Sequence, residues 1–271
     1  MRWLEDRAES LTGPPHGRGQ NQRVRMAADA DGRILAYELH IDADVGGYPH
    51  TGSFVPMATS MMATGAYAIP RVHVRARTVV TNTAPTSPYR GAGRPEAASA
   101  IERTIDLLAR RLRVDPVDLR RRNFIASQAF PYATPTGFTY DSGDYAAALD
   151  VALDEVNYAG WRAEQARRRM TGESPIGIGL CPYVERSGAG EEFGAVEACP
   201  DGSFLALSGC CSTGQGHETA CPQLLPRSSM STWTGCGWSR VTPPSSRRAS
   251  AHSPAGRCRS AARPCTGRPA S

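Results

Sequence analysis

The stretch Ser87-Pro88-Tyr89-Arg90-Gly91-Ala92-Gly93-Arg94-Pro95-Glu96 carries the residue types best suited to holding an anionic ligand. Glycines let backbone come close to a bound group, and a helix opening behind them offers partial positive charge at its N-terminus. Arg90 adds a permanent cation with a fork of donors. The spacing is not the dinucleotide fingerprint, because Glu96 stands at the third glycine position. A plainer reading of the same residues is a tight turn with a surface arginine. A second compact polar loop, Gly214-Gln215-Gly216-His217-Glu218-Thr219, sits where a strand gives way to a helix. Its backbone N–H groups, the Gln215 amide and the Thr219 hydroxyl suit phosphate or the polar edge of a ring. Here the plainer reading is a capped helix start.

The remaining polar groups form no such constellation. His16, His40, His50 and His73 lack ligand spacing and read as surface or strand residues, so no metal site held by side chains is expected. Asp115 and Asp118 read as helix capping, and Arg120-Arg121-Arg122 as a solvated helix end. The eight cysteines include no CxxC pair, Cys210 and Cys211 are adjacent, and none precedes Cys181, which argues against zinc or dithiol chemistry.

Positioning these loops requires a mixed fold. At 271 residues the chain can bury a core, with 40% hydrophobic and 21% charged residues. Val24 and Met26 alternate with polar neighbours, Asp29-Ala30-Asp31-Gly32 supplies a turn, and Leu35, Tyr37, Leu39 and Ile41 alternate again, which predicts a hairpin. Val72–Thr81 reads as a strand feeding the loop 82–93, and Pro95 opens a helix with Ile101, Ile105, Leu108 and Leu112 on one face. Asp115-Pro116 caps a shorter helix to Asn123, and Asp144 one in which Leu149, Ala152, Leu153 and Val156 share a face. Between them 130–143, rich in Pro, Thr and Gly, reads as a crossing between domains. Ile176–Val184, Glu192–Cys199 and Phe204–Ser208 read as strands, the last two joined at Asp201-Gly202. The fold class is α+β or α/β in two parts, with domains at 1–128 and 129–225. No run of 18 apolar residues spans a membrane, and the opening Met1-Arg2-Trp3-Leu4 lacks a signal-type apolar segment, so a cytoplasmic protein is expected.

Residues 226–271 are different. From Cys221 to Ser271 there are eight Arg and no Asp or Glu, about +8, so the rest carries about −3 against a net +5. One reading is a disordered basic arm for nucleic acid. Against it stand two Trp and four Cys in Cys221–Ser271, and the absence of strand or helix period. A one-nucleotide shift over Ser231–Pro244 permits VDVDRVRVVAGDTA, a good strand, and yields sensible stretches on either side. The tail is therefore expected to be out of frame and not native protein.

In this order the two loops resemble those of the molybdopterin-binding large subunit of the xanthine dehydrogenase family, in particular the branch of aerobic carbon monoxide dehydrogenase large chains. The resemblance rests on Ser87–Ala97 (SPYRGAGRPEA), Leu119–Ile125 (LRRRNFI), Pro131–Tyr145 (PYATPTGFTYDSGDY) and the run from Ile176 to GQGHET ending at Thr219. The opening RWLEDRAESL is similar to an internal segment of the family. What this implies is an incomplete piece of a molybdenum hydroxylase large subunit, holding a molybdenum–molybdopterin cofactor in its cytosine dinucleotide form. Such enzymes hydroxylate a carbon centre with water-derived oxygen and pass electrons to an iron–sulfur small subunit and an FAD-binding medium subunit, as dimers of heterotrimers. The resemblance places Arg90, with Tyr89, Gly91, Ala92 and Gly93, beside the molybdenum. Gly214, Gln215, Gly216, His217 and Thr219 fall on the pterin or its diphosphate.

Departures from the family bear on substrate. Members that oxidise CO carry Cys directly after the loop Arg, where Gly91 stands here. Purine-oxidising members place Phe two residues after it, where Ala92 stands, and an Arg near Ala58. Small aromatic heterocycles and aldehydes remain as substrates. The family's upstream glycine-rich loop and its C-terminal general-base Glu are expected outside 1–271, so the chain by itself is expected to be inactive and poorly folded.

Overall fold

The computed structural model describes residues 4–185, 193–198, 204–209, 214–217, 219 and 236–240. The chain divides into two compact units, Met1–Arg186 and Ser187–Ser271.

The first unit is built on a three-stranded sheet in the order β1 (Gln20–Ala28), β2 (Ile34–Asp44), β3 (Val72–Val79). β1 and β2 form the expected antiparallel hairpin, and β3 runs parallel to β2, Leu39 facing Val74. Alternation turns Tyr37, Leu39, Ile41 and Ala43 into the core. Leu35 breaks the expected alternation: the register shifts between Ala27 and Ala28, so Ile34 is buried and Leu35 is exposed.

Helix α1 (Arg7–Thr12) is short and exposed, with Asp6 accepting the Glu9 N–H and Glu9 accepting the Asp6 N–H in return. Helix α2 (Val55–Met61) interrupts the crossover from β2 to β3. Helix α3 (Arg94–Leu112) begins one residue before Pro95 and covers the core with Ala97, Ile101, Ile105 and Ala109, while Leu108 and Leu112 pack at its edge. Helix α4 (Pro116–Asn123) is capped by Asp115, whose side chain accepts the Val117 N–H at 2.8 Å. Its last residue ties helix to hairpin. The Asn123 side chain accepts the Ile34 N–H at 2.8 Å and donates to Gly32 O at 2.9 Å.

Arg120 departs from expectation most. It is wholly buried, not solvated, and its guanidinium meets Glu102 at 2.8 Å and Asp106 at 2.9 Å, both on α3. The Tyr67 hydroxyl donates to the same Glu102 at 2.6 Å. Arg121 and Arg122 do lie nearer the surface, the first paired with Asp150 and the second donating to Asp31 O.

Segment 130–143 forms a small hairpin of β4 (Tyr132–Ala133) and β5 (Thr139–Tyr140). Thr136 donates to Met61 O at 2.6 Å and Tyr140 to Gly65 O at 3.1 Å. Helix α5 (Tyr145–Glu155), capped by Asp144, sends Leu149 and Leu153 into the first core, whereas Ala152 and Val156 stay exposed. Helix α6 (Tyr158–Thr171) has no apolar stripe to announce it; Glu164 pairs with both Arg167 and Arg168 at 2.7 Å. Ile176–Val184, expected as a strand, pairs with no strand among the described residues. Its carbonyls at Ile176 and Leu180 accept from Gln165 and Arg120 instead.

In the second unit β6 (Gly194–Ala198) pairs antiparallel with β7 (Phe204–Ser208), as the pattern predicts. β8 (Cys236–Arg240) then lies parallel to β7, a strand inside the segment where sequence period predicts none. The Asp201-Gly202 turn, Cys210, Cys211, Glu218 and the tail apart from β8 lie outside the described residues. Among the described residues no helix is long and apolar enough to cross a membrane.

Candidate functional site

The loop before α3 is shaped by backbone that only small residues allow. Gly91, Ala92 and Gly93 have φ of 98°, 30° and 93°, three left-handed residues in succession. At Gly93 a Cβ would sit 2.6 Å from Thr59 N and 2.9 Å from the Ala58 Cβ, so α2 packs directly on the glycine. Ala92 N–H donates to Tyr89 O at 2.7 Å and Arg94 N–H to Gly91 O at 3.0 Å, closing the turn.

Two side chains hold this turn from behind, Glu96 from the stretch the sequence singles out and Arg18, which does not stand out there. Glu96 is buried and accepts the Gly93 N–H at 3.0 Å, the reciprocal half of a capping box at the start of α3. Arg18 pairs with Glu96 at 3.1 Å, donates to Arg90 O at 2.8 Å and lies 5.1 Å from the centre of the Tyr89 ring. Glu96 thus uses its charge on Arg18 and the Gly93 N–H, and Arg94 of the same loop pairs with Glu185 at 3.2 Å. Residues 16 and 87 stitch the loop further, with Ser87 N–H donating to His16 O at 2.7 Å.

Arg90 itself is exposed, and among the described residues its guanidinium has no carboxylate partner. Tyr89 is also exposed. Arg90 therefore offers an exposed cation beside the turn, which can take an anion with charge-assisted hydrogen bonds, while the first donors of α3 are already used, Gly93 N–H by Glu96 and Arg94 N–H by Gly91 O. A side chain at residue 91 would conflict with this shape. Its Cβ would lie 2.9 Å from Pro95 Cδ and Cγ, at a φ that L side chains rarely adopt.

The second loop belongs to the other unit. Gly214 and Gly216 have φ of 99° and 72°, with nothing within 4 Å of an added Cβ. Thr219 N–H donates to Gly216 O at 3.0 Å, and His217 and Thr219 have helical backbone, as the predicted helix start requires. Gln215 is exposed, and His217 Nδ1 is buried without a partner among the described residues.

A groove of about 710 Å³ lies apart from the Arg90 loop, lined by Met57, Met61, Val72, Val74 and Arg77 among others. The buried Glu102–Arg120–Tyr67 cluster is also no binding site. Burial pushes the Glu102 carboxyl up to about 7 in spite of the Arg120 attraction, and every charged atom there is spoken for inside the core.

Comparison with known proteins gives these loops a context. Residues 1–124 and 151–228 each match a family model described as a molybdopterin cofactor-binding domain. The chain is 38% identical over 243 residues to the carbon monoxide dehydrogenase large chain of Hydrogenophaga pseudoflava, covering 83% of this chain and 30% of that one. It is 32% identical over 241 residues to the nicotine 6-hydroxylase large subunit of Paenarthrobacter nicotinovorans, covering 83% of this chain and 29% of that one. Its structure is similar to quinoline 2-oxidoreductase from Pseudomonas putida 86, with a TM-score of 0.69 and 29% identity over 80% of this chain and 30% of that one. The chain thus spans about 30% of the length of the curated relatives it matches.

Proposed function

The chain belongs to the molybdopterin-binding large subunits of the xanthine dehydrogenase and aerobic carbon monoxide dehydrogenase family, and on that premise we propose that Arg90 and the turn Tyr89–Gly93 contact the molybdenum end of the cofactor. Gly214, Gln215, Gly216, His217 and Thr219 contact the pterin or its diphosphate, in the cytosine dinucleotide form. When bound, the cofactor supplies oxygen transfer to a carbon centre and accepts the electrons that leave it. Iron–sulfur and FAD-binding subunits would be the partners that take those electrons.

What this chain's residues do follows from their chemistry. Arg90 neutralises and orients an anionic group with a permanently charged fork. Arg18 and Glu96 keep the turn in its left-handed form, so the cost of ordering it is met before the ligand arrives. Gly91 offers no thiolate, which disfavours CO as substrate, and Ala92 offers no ring to stack on a purine. Small aromatic heterocycles and aldehydes fit the reading better, and relatives named for nicotine and quinoline support the heterocycles.

The observation that carries the proposal is the exposed, unpaired Arg90 on a turn of three left-handed residues. The donor set suits a dithiolene–phosphate anion, since Glu96 is turned inward to Arg18 and opposes nothing bound outside. The test is to purify the chain from cells that make the cofactor, then measure molybdenum by mass spectrometry and pterin by fluorescence after oxidation. Matched molybdenum and pterin, reduced roughly tenfold or more in Arg90→Ala on the scale of a charge-assisted hydrogen bond, is the expected result. Content equal to that of an unrelated control protein, or unaffected by Arg90→Ala, would overturn it.

A further inference from the structure

Sequence spacing sets the histidines apart, but the sheet brings two of them together. Alternation along β2 that buries Tyr37, Leu39 and Ile41 turns Glu38 and His40 to the opposite face. The parallel register then places His73 of β3 opposite Glu38, and Arg75 opposite His40. His40 Nε2 lies 2.9 Å from Glu38 Oε1, and the two imidazoles meet edge to face with centroids 6.1 Å apart. One ligand atom from each of Glu38, His40 and His73 lies within 4.8 Å of the other two.

We propose that Glu38, His40 and His73 form a binding site for a divalent transition metal of the zinc class, with water completing the shell. Two imidazole nitrogens and one carboxylate oxygen are the donor set that such ions prefer, and one that magnesium and calcium do not. Ligands about 2.0–2.2 Å from a tetrahedral ion stand roughly 3.4 Å from one another. His40 Nε2 and Glu38 Oε1, at 2.9 Å, must therefore open slightly and His73 must close on them, which side-chain rotation supplies because His73 is exposed and Glu38 and His40 are 32% and 39% exposed. Glu38 can ligate through Oε1 while Oε2 keeps Arg25, which is 3.4 Å away and 85% exposed. Arg25, Arg75 and the neighbouring Arg23, Arg71 and Arg77 oppose a cation, and Asp42 offsets them in part, which weakens the site. Its role is structural. An ion there clips β3, an edge of the three-stranded sheet, to β2 across more than 30 residues of intervening chain.

The experiment is a titration of the full chain, its thiols first alkylated so that cysteine cannot compete. The probes are Zn²⁺ alone, followed by calorimetry and thermal denaturation, and Co²⁺ alone, followed by its visible d–d absorption. One ion per chain should bind, raise Tm, and lose affinity ten- to a hundredfold in each of His40→Ala and His73→Ala. His16→Ala and His50→Ala should bind as the parent does. Circular dichroism confirms that the two sheet variants keep the fold. Absence of saturable binding below about millimolar Zn²⁺ would overturn the proposal. So would an unchanged affinity in the His40→Ala/His73→Ala double variant, or an equal rise in Tm with Mg²⁺.

Discussion

Replacing Arg120 by Met tests whether the first unit depends on a buried charge network. Arg120 has no exposed surface and bonds Glu102 through Nε at 2.9 Å and Nη2 at 2.8 Å, with Asp106 at 2.9 Å and Leu180 O at 3.1 Å. Methionine fills much of the space but strands Glu102, which is 3% exposed, beside a single phenol donor. Removing one partner of such a pair costs about 3–5 kcal/mol. For a unit of this size each kcal/mol moves Tm by about 2–4 °C, so a fall of roughly 6–20 °C is expected. The pH dependence is the sharper signature. Because burial already raises Glu102 to about 7, its protonated form favours the fold: stability is fully present at acid pH and declines as pH rises through about 7. Without Arg120 the carboxyl rises further, so Arg120→Met should lose more stability at pH 8 than at pH 6. Glu102→Gln added to Arg120→Met should recover a large part of the loss, because Asp106 is 31% exposed and can stay hydrated. The assay is urea denaturation of the full chain followed by circular dichroism at both pH values. A loss below about 1 kcal/mol, or one equal at pH 6 and 8, would refute the reasoning.

Four further outcomes are expected. Asn123→Ala orphans the buried Ile34 N–H and the Gly32 carbonyl, and should cost about 1–3 kcal/mol in the same denaturation assay, with Asn123→Asp recovering part because its oxygen still accepts from Ile34. Gly93→Ala adds a clash 2.6 Å from Thr59 N to the strain of φ at 93°, whereas Gly137→Ala, at φ 94° with nothing within 4 Å, bears the strain alone; the first should lower Tm clearly more than the second. Asp144→Ala removes the acceptor for Ala147 N–H at the start of α5 and should cost about 0.5–2 kcal/mol, with Asp144→Ser recovering most of it. Resequencing codons 220–230 should reveal one base whose change restores VDVDRVRVV from residue 231 onward; an intact frame would mean that the tail is translated as it stands.

The sequence determined those elements whose cause is local. The β1–β2 hairpin follows from alternation about a turn that needs Gly32 at positive φ, and α4 and α5 follow from Asp115 and Asp144 as caps. The loop at 89–93 was legible as a turn before a helix because Gly91 and Gly93 suit positive φ, and only its neighbours in order carried the family resemblance. Tertiary structure decided the rest, because it depends on residues far apart in the chain. Nothing near residue 18 announces that Arg18 will brace Arg90 and Glu96, more than 70 positions away. Arg120 reads as one of three solvated arginines until α3 presents Glu102 and Asp106 to it. His40 and His73 become neighbours only because β3 returns parallel to β2 in one register, and a slip of a single residue would turn one of them to the other face. Local pattern sets which face a residue takes within its own element; which distant residue it meets there is settled by packing alone.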